Sequence, residues 1–166
     1  PLVANPKFVP IFAEPLERYR SLLPDEYDQL ERAARWARQR FAGRAIWNVS
    51  STARGGGVAE MLRCLLPYAR DAGVDVRWVV VREGAEFFAV TKRLHNHLHG
   101  VPGDGGELGD EARRLYESAL RANADALAPQ MQRGDVAYLH DPQTAGMVPV
   151  LRGRGLEVVW RCHIGV

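Results

Sequence analysis

Cysteine is nearly missing: Cys64 and Cys162 are the only two in 166 residues. That excludes a small disulfide scaffold. Cys64 sits in a helix pattern and Cys162 in a strand pattern, so both read as buried free thiols suited to a reducing cytoplasm. No apolar run approaches the length that spans a bilayer, and no charged-then-apolar segment opens the chain. Charge of one sign is also missing. A net charge of +2 is too small to argue for nucleic acid or an anionic membrane as partner. There is no internal repeat and no low-complexity tract. What remains is 46% hydrophobic and 25% charged, an ordinary globular composition, long enough for one domain with a real core.

The most informative stretch runs from Ala45 to Glu60 and reads as strand, glycine loop, helix. Ile46, Trp47 and Val49 suit a strand. Ser50 to Arg54 form the exit loop. Gly55, Gly56 and Gly57 let the backbone turn sharply and let another molecule come close. Val58, Met61, Leu62, Leu65, Leu66 and Ala69 then lay one apolar stripe along a helix. A helix opening from such a loop aims free N–H groups and its positive dipole end at it, which suits phosphate or another anionic oxygen. The same glycines also fit a plain tight turn. Glu60 stands where a dinucleotide loop wants Gly or Ala, and no Lys-Ser or Lys-Thr pair follows, so neither a standard dinucleotide fingerprint nor a P-loop is present.

In order, residues 1–15 carry four prolines and form an extended arm whose Leu2, Val3, Phe8, Val9, Ile11 and Phe12 suit packing on a surface. A short helix is expected over 15–23. A longer one starts at Pro24-Asp25-Glu26 and ends at Gly43, with Leu30, Ala33, Ala34, Ala37 and Phe41 inward. A kink is expected near Pro67. Strands are expected at 74–81, 135–139 and 156–163, and helices at 86–99, 110–131 and 144–151, with a glycine-rich turn over 102–109. Expected inner stripes are Phe87, Val90, Leu94 and Leu98 on one helix, and Leu115, Ala119, Ala122 and Ala126 on the next. The fold class is therefore α/β: a Rossmann-like, open, mostly parallel sheet with helices on both faces, preceded by an N-terminal arm and helices. Residues 1–43 are the arm and helices, and residues 44–166 the Rossmann-like domain. Both termini read as cut from a longer protein.

Ligands bind such sheets at the carboxyl ends of the strands. Three strand ends carry chemistry there: the glycine loop, His140 with Asp141, and His163. Each has a plain structural alternative, since Asp before Pro is often a turn residue and a lone strand His often a core group. His95 and His99 share a helix face, and His97 lies between them. Without an H-E-x-x-H acid and with no third ligand specified, the expectation is no metal.

These residues resemble a known family. Asn48-Val-Ser-Ser-Thr-Ala-Arg-Gly-Gly-Gly-Val-Ala-Glu-Met-Leu62 resembles the glycine loop of the retaining trehalose synthases of the glycosyltransferring type, GT-B enzymes related to trehalose phosphorylases. Phe87-Phe-Ala-Val-Thr-Lys-Arg-Leu-His-Asn96 with Gly100, then His140-Asp-Pro-Gln143, then Trp160-Arg-Cys-His-Ile164 resemble its further motifs, in order. His99, where Gln is more usual, and Gly165, where an acid is expected, depart from the pattern.

The resemblance implies an enzyme that joins glucose from a nucleotide diphosphate glucose to free glucose, giving α,α-trehalose. It implies a cleft between two Rossmann-like domains. The present chain is the acceptor-side half, and the C-terminal nucleotide-binding domain is absent from it. Gly55, Gly56 and Gly57, with Arg161, would face the donor diphosphate and sugar. Asp141 would hold acceptor hydroxyls and His163 would contact the donor sugar near the reacting carbon, making these the two catalytic candidates. Lys92 and Asn96, four apart on one helix face, would orient the acceptor. No cofactor is implied beyond the nucleotide sugar as substrate. Partners are the sugars, the C-terminal domain and, through an exposed apolar cleft face, a second copy as a homodimer. The alternatives are a trehalose phosphorylase, an NADP-dependent reductase using Arg82 on the 2′-phosphate, and a non-catalytic sugar-binding module.

Overall fold

A computed structural model describes residues 5–164. Leu2, Val3 and Gly165, to which the sequence reading gave roles, lie outside the described residues. Five strands form one sheet: β1 (Lys7–Val9), β2 (Ala45–Ser50), β3 (Asp75–Val80), β4 (Val136–His140) and β5 (Glu157–Arg161). Their spatial order is β1-β3-β2-β4-β5, with β1 antiparallel to β3 and every other pairing parallel. Among the described residues six α-helices surround it: α1 (Tyr27–Arg40), α2 (Gly57–Asp71), α3 (Ala85–Leu98), α4 (Asp110–Leu127), α5 (Pro142–Ala145) and α6 (Val148–Gly153).

Two cores sandwich the sheet. On one face Trp47, Val49, Val79, Ala137 and Leu139 pack against Phe87 of α3, Leu120, Ala124 and Leu127 of α4, and Met147 and Leu151. On the other, Val76 and Trp78 meet Ala59, Leu62 and Leu66 of α2. Because both faces of the sheet are covered, β2 and the second half of β3 (Trp78–Val80) are buried residue after residue rather than alternately. Asp135 pins the opposite end of the sheet from the glycine loop. Its carboxylate accepts from the Ala45 N–H (2.8 Å), the Trp47 indole (2.9 Å) and the Gln132 N–H (3.0 Å). Burial pushes that carboxyl up, but the three donors outweigh it and hold it below the ordinary range.

The chain runs from β2 outward to β3 and then crosses back to β4. The strand order therefore reverses between β2 and β4, and a crevice opens at their carboxyl ends.

Several local expectations are corrected. The arm is not only a packing segment: Lys7–Val9 adds an edge strand in register with Trp78–Val80. Residues 24–26 are a turn, and α1 starts at Tyr27, which is buried with its hydroxyl donating to Glu17 (2.8 Å). Leu16–Tyr19 is a single 3₁₀ turn. The helix expected over 144–151 is two short helices, broken at Gly146 and Met147. On α4 the buried stripe is Ala112, Ala119, Leu120, Asn123, Ala124 and Leu127, while Ala122 is exposed. The expected stripe was rotated because it passed over the polar Asn123, which is buried where it accepts the Arg82 N–H (3.0 Å). Leu98 is also exposed. Cys64 is exposed and Cys162 half-buried, so the reading of two buried thiols fails; Cys64 points off the α2 stripe, away from the sheet.

Candidate active site

The glycine loop leaves β2 at Ser50, whose hydroxyl accepts from the Trp78 indole (2.8 Å) and donates to the Thr52 carbonyl (3.0 Å). Thr52 Oγ1 then accepts the Arg54 N–H (3.1 Å), and the Arg63 guanidinium donates to the Ala53 carbonyl. The loop is thus held from both flanks. Gly55 (φ 71°) and Gly56 (φ 86°, ψ 151°) take backbone conformations that L side chains avoid. Gly56 caps α2 and Gly57 is its first residue, with no side chain capping the helix. A Cβ placed on any of the three would meet nothing within 4 Å. The first N–H groups of α2 therefore open onto free space.

Beside it, β4 delivers His140 and Asp141. Asp141 is the only non-glycine of positive φ among the described residues, at φ 64° and ψ 171°. Five hydrogen bonds hold it there, one of them from the Thr144 N–H to its carbonyl (3.1 Å). Its N–H donates to the Arg161 carbonyl (2.8 Å), and its carbonyl accepts from the Trp160 indole (2.9 Å) and Thr144 Oγ1 (3.2 Å). Its carboxylate Oδ1 accepts the His163 N–H (2.6 Å). The second carboxylate oxygen stays available at the crevice. A non-glycine residue in that region is costly and persists only where its surroundings hold it, as these bonds do.

The His163 ring reaches His140, Nε2 to Nδ1 at 3.0 Å, and His140 Nε2 lies 3.2 Å from Asn48 Oδ1. Burial, then the neighbouring His163 and Arg161, push His140 down to about 4, so it is neutral near pH 7. On α3, burial, then Lys92 and His99, lower His95, while Asp141 raises it; the Lys92–His95 face is thereby electrically in touch with Asp141.

Asp141 and His163 are in direct contact, and Arg161 joins them through its backbone while its side chain is exposed. The glycine loop sits on the adjacent strand end. Lys92 is exposed, and Asn96 turns toward the following loop: a Cβ on Gly103 would come within 2.9 Å of Asn96 Nδ2. Among the described residues no group of three or more His, Cys, Asp or Glu is arranged to hold a metal ion; His95 and His99 only pack ring on ring at 4.7 Å. Arg82 has its backbone N–H held by Asn123 and its side chain exposed. No helix of the described residues is long and apolar enough to cross a membrane.

The sequence reading placed His140 with Asp141 at a chemistry-bearing strand end but gave it no specific role, and gave none to Asn48 or Gln143. Gln143 Oε1 is buried without a hydrogen-bond partner among the described residues. A polar Asn inside the buried run of β2 was a usable signal, because buried polar groups need partners.

The mostly parallel sheet, its crevice at the order reversal and the glycine loop on a helix N-terminus define a Rossmann-like α/β domain. Residues 48–166 match the family described as "Trehalose synthase, N-terminal domain", and the chain belongs to that family. It is 40% identical over 152 residues to the trehalose synthase of Rubrobacter xylanophilus, covering 90% of this chain and 35% of that protein. It is 38% identical over 149 residues to the trehalose synthase of Thermococcus litoralis (90% and 34%). A trehalose phosphorylase of Pleurotus pulmonarius is 35% identical over 125 residues (70% and 17%). The chain thus spans about a third of the length of the trehalose synthases it matches. A solved structure described as "Trehalose-6-phosphate from E. coli bound with UDP-2-fluoro glucose" overlays with a TM-score of 0.52 at 17% identity, covering 70% of this chain and 32% of that one, which supports the fold.

Proposed function

We propose that this chain is the acceptor-side half of a retaining glycosyltransferase that moves glucose from a nucleotide diphosphate glucose to free glucose, forming trehalose. The observation that carries the reading is the meeting of Asp141 and His163 in one crevice, beside the open N-terminus of α2. The N–H groups following Gly55 and Gly56 suit charge that grows on a departing diphosphate. Asp141 Oδ2 suits acceptor hydroxyls, each charge-assisted. His163, whose N–H is bonded to Asp141, contacts the donor sugar near the reacting carbon. Lys92 orients the acceptor from α3, with Asn96 behind it, and Arg161 adds positive charge on the donor side.

In the reaction, the donor C1–O(phosphate) bond breaks and a C1–O(acceptor) bond forms on the same face. The acceptor proton passes to the leaving phosphate oxygen. No cofactor takes part, and the nucleotide sugar is a substrate. The nucleotide itself binds a second domain, for which the longer relatives have room.

The test uses the full-length protein that contains this chain. Incubation with nucleotide diphosphate glucoses and glucose should yield trehalose and free nucleotide diphosphate. Trehalose breakdown that depends on inorganic phosphate, without transfer from any nucleotide sugar, would make the protein a phosphorylase instead.

A further inference from the structure

Asn48, His140 and His163 form a row across β2, β4 and the end of β5. Asn48 Nδ2 donates to the Arg77 carbonyl (3.4 Å), which turns Oδ1 toward His140. An amide oxygen only accepts, so the His140 proton sits on Nε2. His140 is 1% exposed, with the Tyr138 ring edge-on at 4.7 Å, and being neutral it holds one ring proton. Its Nδ1 is therefore a lone pair, and the His163 Nε2–H donates to it. Among the described residues His163 Nδ1 has no partner.

We propose that Asn48 and His140 are positioning residues that fix His163 in its Nε2–H form, so that Nδ1 is the nitrogen it presents to a substrate. Any proton His163 gains or loses then moves at Nδ1, and neutral His163 accepts a hydrogen bond from a sugar hydroxyl there. That last use rests on the transferase reading; the placement of the protons does not.

The experiment is ring-nitrogen NMR on the 166-residue chain labelled with ¹⁵N-histidine, at a pH where His163 is neutral. Wild type should show Nε2 protonated and Nδ1 bare in both His140 and His163. A proton on His163 Nδ1 with bare Nε2, or on His140 Nδ1, overturns the proposal. Asn48→Leu removes the acceptor and should release His140, so that a Nδ1–H form appears in both rings. An unchanged His163 in that variant overturns the role of Asn48. His140→Asn places an amide oxygen near the old Nδ1 and should keep the wild-type pattern at His163, whereas His140→Leu should not.

In the full-length protein His140→Leu should lower kcat about tenfold, the worth of one hydrogen bond, and His140→Asn should recover most of it. Equal loss in both variants, with His163 unchanged by NMR, would reduce His140 to a packing residue. Absence of transfer by wild type overturns the transferase reading alone, and the ring protons still decide this one.

Discussion

At the scale of single residues the site holds two groups in uncomfortable states. Asp141 keeps a backbone conformation that costs about 1–3 kcal/mol for any residue but glycine. Its bond to the His163 N–H returns a similar amount, about 1.5–3 kcal/mol for a charged acceptor. Asp141→Gly should therefore melt close to wild type, because it loses the bond and the strain together. Asp141→Ala loses the bond and keeps the strain, and should melt several degrees lower. Both should abolish acceptor use in the full-length protein; coincident melting curves for the two would remove the strain argument. His140 is uncomfortable when charged. Its folded value of about 4 lies below the ordinary 6.5, so the unfolded chain takes up its proton first as pH falls. Stability is whole above about pH 6.5, declines through the window down to about 4, and the loss approaches about 3 kcal/mol. His95, lowered as well, acts in the same direction. Melting temperature against pH should show this slope, and His140→Asn should flatten most of it. Sequence alone pointed to Asp141 and His163 because they close strand patterns. It did not reach the partnership of His140 with Asn48, since residues 92 apart in sequence become neighbours only through the strand order.

At the scale of elements, β2 and α2 were legible because their patterns differ: Ile46, Trp47 and Val49 suit a strand, and a stripe at helical spacing follows the glycines. The helices flanking the site were less so. α5 is one turn long, too short for any period, and α4 hides a polar side chain inside its buried stripe. The edge strand β1 has three residues and no alternation, so only its partner β3 defines it. The opening of α2 can be tested cleanly. Gly56 needs its positive φ, so a substitution there would mix backbone strain with any loss of binding. Gly57 has no such need, and a Cβ there meets nothing in the free protein. Gly57→Ala should leave the melting temperature equal or slightly higher, since Ala is the better helix former by about 1 kcal/mol. In the full-length enzyme it should weaken donor binding at least tenfold if the diphosphate rests on that N-terminus. Undiminished donor affinity would place the phosphate elsewhere.

At the scale of the whole molecule, the proposed function makes this chain one wall of a cleft. A groove of about 590 Å³ does lie between α3 and α4, lined by Glu86, Val90, Arg93, Glu107 and Asp110 among others, but it includes neither the glycine loop nor Asp141 nor His163. Gly55, Gly56 and Gly57 at the crevice are exposed, and on the proposed reading a second domain stands over them. Positioning two substrates together can supply about 7–11 kcal/mol of a barrier, and a single wall supplies little of it. The 166-residue chain should therefore fold yet make no trehalose when incubated with nucleotide diphosphate glucoses and glucose; sustained turnover would show that it holds the whole machinery. The parallel sheet and its crevice were foreseeable from strand–helix alternation, while the need for a facing wall came from the family resemblance and not from any local pattern. The sheet also has two unequal margins. The outer edge of β1 is three residues long and that of β5 five, and among the described residues neither has a strand partner on that side. In that sense the sheet has a valence of two, and only one of the two lies at the site. A strand added at the β5 margin would lie along Glu157–Arg161, the same segment that leads into His163 and whose Trp160 and Arg161 brace Asp141. Such a strand would act as a splint, stiffening two site residues without touching either substrate.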